Sequence, residues 1–331
     1  METMENEIMV SVLCITFNQK RYIRKCLESL VKQKTDFKYE ILVHDDASSD
    51  GTTDIIKEYE MAYPELIYPI YQTENQHSKG NDVQMIALKM AKGKYIAVCE
   101  GDDFWTADNK LQKQIDFLEA HQDYSVCAHA AYKAFEDDSL STESFFRPYF
   151  ESCTISTEQV ISGWNFATNS LMFRKSAIDK LPIPFKGDCE NGDYAWLVYL
   201  ALKGKVFYLD ELMSAYRTES IGSLNWNWLY DSKKHIDAKV RFVNMLKRIN
   251  SYSGYAYERI LVEQIDKTNF FIALSNGDRR TAMKYDKLYS QLTKRDKMKL
   301  FIHSAVPFIY DPCRRMIERI KMYLAKRRHR R

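Results

Sequence analysis

Apolar runs and helical stripes alternate along the first hundred residues. Residues 10–16 (VSVLCIT) form an unbroken, β-branched apolar run, which predicts a strand buried on both faces. Ile23, Leu27, Leu30 and Val31 then recur at helical spacing. Residues 40–44 (EILVH) predict a second strand, and residues 52–63 a second helix opened by the turn residues Ser48, Ser49, Asp50 and Gly51. A third strand at 66–71, a third helix at 83–91 and a fourth strand at 94–99 complete the series. Strands that alternate with helices predict an α/β fold with a mainly parallel sheet flanked by helices.

Beyond residue 105 the pattern is mixed. Leu111, Ile115 and Leu118 mark a helix, 125–132 a strand, 170–173 a short strand, and 205–209 another. Tyr194, Leu197, Val198, Ala201 and Leu202 mark the helix before that last strand. From about Trp226 the chain is helical without strand signals, so a boundary is expected near Ser223: an α/β body at 1–223 and an all-helical extension at 224–331.

At 331 residues, 45% hydrophobic and 28% charged, the chain suits a globular protein. No apolar run reaches the roughly 18–20 residues of a membrane span, and the acidic start at 1–7 lacks the features of a signal peptide. The net charge of +3 is uneven. Residues 311–331 hold nine Lys or Arg against Asp311 and Glu318, a net +7, so the remainder sums to −4. Seven cysteines without a CxxC pair argue against a disulfide framework or thiolate zinc site and suit a reducing cytoplasm.

Three polar clusters fall at the carboxyl ends of predicted strands, where open parallel sheets bind ligands. They are Thr16-Phe17-Asn18, Asp45-Asp46 and Glu100-Gly101-Asp102-Asp103. A solvated acidic turn explains any one carboxylate pair. Three clusters at one sheet edge favour a hard divalent cation, Mg²⁺ or Mn²⁺, which prefers carboxylate and phosphate oxygens.

Four segments carry a family likeness. VSVLCITFN at 10–18, ILVHDDASSDGT at 41–52, GKYIAVCEGDDFW at 93–105 and KLQKQIDFL at 110–118 resemble, in order and spacing, the family 2 glycosyltransferases of the GT-A fold. The likeness covers roughly residues 8–220 and is greatest to bacterial members that build surface polysaccharides. It implies that Ile15, Thr16, Phe17 and Asn18 hold a nucleotide base and that Asp46 meets its uracil-like edge. Glu100, Gly101 and Asp102 stand where the family has its DxD motif. With Asp103 they would hold Mn²⁺ or Mg²⁺ and touch the ribose and diphosphate. Two departures are visible: Glu replaces the first Asp of that motif, and Gln84-Met85 stands where many members have Arg-Asn. Lys79 is a candidate substitute cation.

Inverting sugar transfer needs a base for the acceptor hydroxyl. Asp193 opens the helix of Tyr194 and Leu197 from outside its apolar face; an acid there also simply suits the helix dipole. The family likeness of the segment around it favours Asp193 as the base, with Asp188 and Glu190 as rivals. The helix N-terminus lowers its pKa, while burial beside Trp196 or a bound sugar raises it. For the acceptor, Trp164, Phe166 and Asn169 suit a sugar face and Arg217 a phosphate, although core packing or a surface ion pair explains them equally. His44 and His77 are expected to be structural or solvated.

The expectation is a glycosyltransferase, hexosyl or N-acetylhexosaminyl, with a nucleotide-sugar donor (a UDP-sugar) and a glycan or lipid-linked acceptor. A nucleotidyltransferase should show a Gly-rich basic loop, which 16–21 (TFNQKR) lacks, and a dinucleotide-binding enzyme a GxGxxG after the first strand. A non-catalytic membrane scaffold would not need the acidic set. In the tail, Met316, Ile320, Tyr323 and Leu324 recur at helical spacing among basic residues, after an apolar segment at 300–310 broken by Pro307. This suits an amphipathic helix on an anionic membrane, hence a peripheral position on the inner face of the plasma membrane. The alternative is a helix packed on the body. A nucleic-acid partner is not expected, because no recognition motif accompanies the tail and the body is acidic.

Overall fold

The computed structural model describes residues 7–163, 166–182, 185, 192–218 and 232–328, with side chains throughout except at 142–145 and 322–328. These residues divide into two compact units, one up to residue 218 and one from residue 232. The boundary expected near Ser223 lies outside the described residues.

The first unit begins as the periodicity predicts. Strand β1 (Ile8–Thr16) is followed by α1 (Ile23–Val31), β2 (Lys38–Asp45), α2 (Thr52–Ala62), β3 (Ile67–Tyr71), α3 (Val83–Met90) and β4 (Tyr95–Val98). β1 lies between β2 and β4, all parallel, and β3 extends the sheet beyond β2. Val10, Ser11, Val12, Leu13 and Cys14 are all fully buried, the burial on both faces that the apolar run implies. The polar member is satisfied: the Ser11 hydroxyl donates to buried Glu40 at 2.6 Å and accepts from the Gly93 N–H at 2.8 Å.

The second half of the sheet is mixed. β5 (Phe104–Trp105), α4 (Lys110–Ala120), β6 (Tyr124–Ala134), β7 (Leu140–Phe146), β8 (Cys153–Ile155), α5 (Thr157–Ser162), β9 (Met172–Arg174), α6 (Lys175–Ile178), α7 (Gly192–Ala201) and β10 (Lys205–Arg217) follow. The strand order is β3-β2-β1-β4-β9-β6-β10-β5, with β7 on β6 and β8 on β10. β9 runs antiparallel to both β4 and β6, whereas β10 is parallel to β6. β10 is longer than the run at 205–209 predicts. Its register shifts between Leu209 and Leu212, which absorbs the polar Asp210 and Glu211 and lets the strand continue to Arg217.

The second unit is helical: α8 (Ser232–Tyr252), α9 (Glu258–Ser275), α10 (Arg279–Ala282), α11 (Asp286–Ser290), α12 (Lys294–Ala305) and α13 (Pro307–Arg328). A small core joins Phe270, Ala273, Ala282 and Leu300. Among the described residues, no helix is long and apolar enough to cross a membrane.

Candidate active site

The parallel order of β4-β1-β2 brings the three polar clusters to one sheet edge. Thr16 pairs with Asp45 across β1 and β2, and the Asp46 N–H donates to the Thr16 carbonyl at 3.0 Å. After β4, the Cys99 and Gly101 N–H groups donate to Leu13 and Ile15 at 3.0 and 2.9 Å, so the acidic turn continues along the end of β1. Gly101 is required there. A Cβ would stand 2.5 Å from Gln19 Oε1 and 2.7 Å from Thr16 Oγ1, far inside contact distance. The glycine lets Glu100 and Asp102 flank the tip of β1.

Two non-glycine residues with left-handed backbone lie in the same place, Asn18 (φ 52°) and Ala47 (φ 64°). Asn tolerates that region, while Ala does not readily, and such strain concentrates at functional sites. The Asn18 N–H donates to Ser48 Oγ at 2.9 Å and its side-chain oxygen accepts from the Ser49 N–H at 2.8 Å, joining the loops after β1 and β2. Phe17, beside it, exposes 45% of its surface. Asp46 is buried. Its two oxygens accept from the Gln76 and His77 N–H groups at 2.7 and 3.0 Å, so it also holds the loop that follows β3.

The four acids differ in what they can do. Glu100 is half-buried, and burial, then the negative charges of Asp102 and Asp193, push its carboxyl up to about 8. Asp103 is fully enclosed. Its Oδ2 accepts from Asn169 Nδ2 at 3.0 Å and its Oδ1 from the Arg217 N–H at 2.8 Å. Asp103, expected as a metal ligand, has both oxygens in bonds that fasten β10 to the acidic turn. Among the described residues, no three His, Cys, Asp or Glu side chains stand ready to hold a metal ion. Glu100 and Asp102 remain, two mutually repelling carboxylates at the sheet edge. That set fits Mg²⁺ or Mn²⁺, which is commonly held by one or two carboxylates and completed by substrate phosphates.

Asp193 sits half-buried in the first turn of α7. Thr168 Oγ1 donates to its Oδ2 at 2.7 Å, and the Tyr194 N–H to its Oδ1 at 3.0 Å. Both bonds favour the ionised form, yet burial outweighs them and raises the carboxyl to about 6. Of the two opposed effects expected from sequence, burial prevails. Asp188 and Glu190, the rival bases, lie outside the described residues.

Thr168 and Asn169 belong to one short 3₁₀ turn, Thr168–Ser170. Neighbouring residues of this turn thus hold Asp193 and Asp103. Asn169 also donates to the Ala215 carbonyl at 2.8 Å and accepts from Ser214 Oγ at 2.7 Å. Arg217 is equally engaged. Its Nε donates to the Asp102 carbonyl at 2.9 Å, its other nitrogens to the Phe135 carbonyl and Asp138, and its guanidinium lies 4.6 Å from the Tyr22 ring centre. Phe166 is buried and stacks on Tyr208 with ring centres 5.9 Å apart. Phe166, Asn169 and Arg217, expected at the acceptor, are all buried here, and the two polar ones are paired inside the protein. Trp164, the fourth, lies outside the described residues.

Sequence reasoning missed two groups. Thr168 carries no motif and is found only through its bond to Asp193. Tyr216 lies among the acids, and burial with the charges of Glu100, Asp103, Asp102 and Asp193 keeps its phenol protonated far above the usual range. Gln84, on α3, does approach the site: its Oε1 would stand 3.8 Å from a Cβ at Gly192, next to Asp193. Lys79 pairs with Glu74 on the surface. His44 is buried with its Nε2 3.2 Å from Gln72 Nε2, a structural position, and burial lowers its pKa.

The model of the family described as "Glycosyl transferase family 2" matches residues 11–181. The uncharacterized protein Rv1520 of Mycobacterium tuberculosis is 33% identical over 228 residues, 68% of this chain and 62% of that protein. The chain therefore spans somewhat under two thirds of that relative. WfaP of Escherichia coli, named as a UDP-Glc:alpha-D-GlcNAc-diphosphoundecaprenol beta-1,3-glucosyltransferase, is 27% identical over 220 residues, 66% of this chain and 80% of that one. The mannosyltransferase PcManGT of Pyrobaculum calidifontis, solved with GDP-Man and Mn²⁺, superposes with a TM-score of 0.57 at 16% identity, covering 98% of this chain and 87% of its own. At that identity the likeness is one of fold. The chain belongs to glycosyl transferase family 2 and has the GT-A fold with a helical C-terminal region.

Proposed function

We propose that this protein transfers a sugar, with inversion, from a nucleotide-diphosphate sugar to a hydroxyl of a lipid-linked glycan. The observation that carries this reading is the meeting of Glu100 and Asp102 at the end of β4 with Asp193 at the start of α7. Burial, then the charges of Asp102 and Asp193, raise the Glu100 carboxyl.

Each group has a part in the reading. Exposed Phe17 offers a face to the base, and the Asn18–Ser49 bond holds the loop around it. Glu100 and Asp102 would hold Mn²⁺ or Mg²⁺ together with the donor diphosphate. That metal, when bound, offsets the charge on the departing nucleotide. Asp193 takes the proton of the acceptor hydroxyl as its oxygen bonds to the anomeric carbon and the diphosphate leaves from the opposite face. A carboxyl near pKa 6 suits this work: it is mostly ionised at neutral pH yet more basic than an ordinary aspartate. Thr168 orients it. Asp103, Asn169 and Arg217 position the acidic turn and touch neither substrate.

The donor nucleotide and acceptor class follow the relative WfaP, whose name specifies a UDP-sugar and a diphosphoundecaprenol-linked acceptor. Nucleotide-sugar chemistry and the free thiols of the six described cysteines suit the cytoplasm. The test is a thermal-shift panel of UDP-, GDP- and dTDP-sugars with Mn²⁺ or Mg²⁺. UDP-sugars should stabilise the protein in a metal-dependent manner; stabilisation by none of the donors, with metal present, would reject the reading.

A further inference from the structure

Helix α13 (Pro307–Arg328) is amphipathic in the inverted sense. A helix on a globular unit ordinarily buries its apolar stripe and exposes its polar one. Here the half-buried positions are Tyr310, Asp311, Arg314 and Glu318. They share one face at roughly 3.6 residues per turn, and that face is mostly polar. It is bonded to its own unit: Asp311 Oδ1 lies 2.9 Å from His303 Nε2, Arg314 Nη1 donates to the Ser275 carbonyl at 2.8 Å, and Ser232 Oγ to Glu318 at 3.4 Å.

The apolar residues face out. Ile309, Met316 and Ile320 recur at intervals of seven and four, so they form one row, with Phe308 and Ile317 beside it. Met316 is 64% exposed, Phe308 74% and Ile320 46%. Phe301 on α12 adds to the exposed apolar surface at 51%. Arg315, Arg319 and Lys321 are exposed on the same helix, and residues 311–331 carry a net +7. A contiguous apolar strip of this kind on a helix held in place by its polar side marks an interaction surface. The positive charge around it selects the partner.

We infer that the outward face of α13 docks on an anionic phospholipid surface, with Ile309, Met316 and Ile320 entering the headgroup boundary and the basic residues meeting lipid phosphates. The inference stands on the second unit alone and does not depend on the transfer reaction.

Flotation of the full chain with vesicles tests it. The wild type should float with equimolar phosphatidylcholine and phosphatidylglycerol and remain unbound with phosphatidylcholine alone. Met316→Glu with Ile320→Glu should abolish flotation, and because both residues are exposed the melting temperature should not change. Arg315→Gln with Arg319→Gln should weaken binding on the order of 25-fold, from the usual contribution of basic residues at such a surface. Equal flotation of the Glu variant, or no binding by the wild type, overturns the inference. So does a wild-type dimer in sedimentation that the Glu variant dissolves without any vesicle binding, since the face would then belong to a second copy.

Discussion

Thr168 donates a hydrogen bond to Asp193 at 2.7 Å, while Asn169, the next residue, donates to Asp103 at 3.0 Å. One short turn therefore sets the position of the proposed base relative to the acidic turn. The two carboxylates it holds lie far apart in the chain but bond to adjacent residues of one turn.

This arrangement gives Thr168 a measurable effect. Its hydroxyl favours the ionised Asp193, so Thr168→Val should raise the carboxyl further above about 6. The acidic limb of kcat/KM should move up by about half a unit to one unit, with kcat falling about tenfold and the donor KM little changed. An acidic limb that stays in place would show that Thr168 does not orient the titrating group.

Glu100 ties the site to stability. Its carboxyl is raised to about 8 from an ordinary 4.5 by burial and by the charges of Asp102 and Asp193. The folded state thus resists ionisation, so stability falls as pH rises from about 4.5 towards 8; below 4.5 the penalty is absent. Glu100→Gln should make the metal-free protein more stable than wild type near pH 8, by about 1–3 kcal/mol after allowance for partial solvent access, and equal to it near pH 4. Mn²⁺ should narrow the gap. Melting curves across that range check this, and a variant less stable near pH 8 would contradict it.

Arg217 is a purely structural cation in this account. Replacing it with Ala leaves the buried Asp102 carbonyl and the partly buried Phe135 carbonyl without that donor and should cost about 3 kcal/mol. Arg217→Lys should recover little, because one ammonium cannot reach the partners of a planar fork. Denaturant unfolding measures both, and wild-type stability in either variant would refute the role.

Much of this could be read from the chain. The β1 to β4 series is written as apolar runs separated by helical stripes, and Thr16, Asp46 and Glu100 stand at the carboxyl ends of those runs. What stayed hidden was contact over distance. The Arg217 guanidinium reaches the Asp102 carbonyl across 115 positions, and nothing local distinguishes it from a surface arginine. Asp103 follows Asp102 in the chain, but its bond to Asn169 on another segment has no local signal. β10 was truncated because Asp210 and Glu211 interrupt its apolar pattern at a register shift. The periodicity of α13 was legible as well, but not which side of it faces out; that depends on His303, Ser275 and Ser232 elsewhere in the unit.

Asp193→Asn tests the central claim most directly, with donor affinity and turnover measured on the same protein. The account predicts that calorimetric binding of a UDP-sugar with Mn²⁺ stays near the wild-type value while transfer to a lipid-linked acceptor falls by about 10²–10⁴-fold, the usual contribution of a general base. Undiminished turnover, or an affinity lost in the same proportion as turnover, would contradict it.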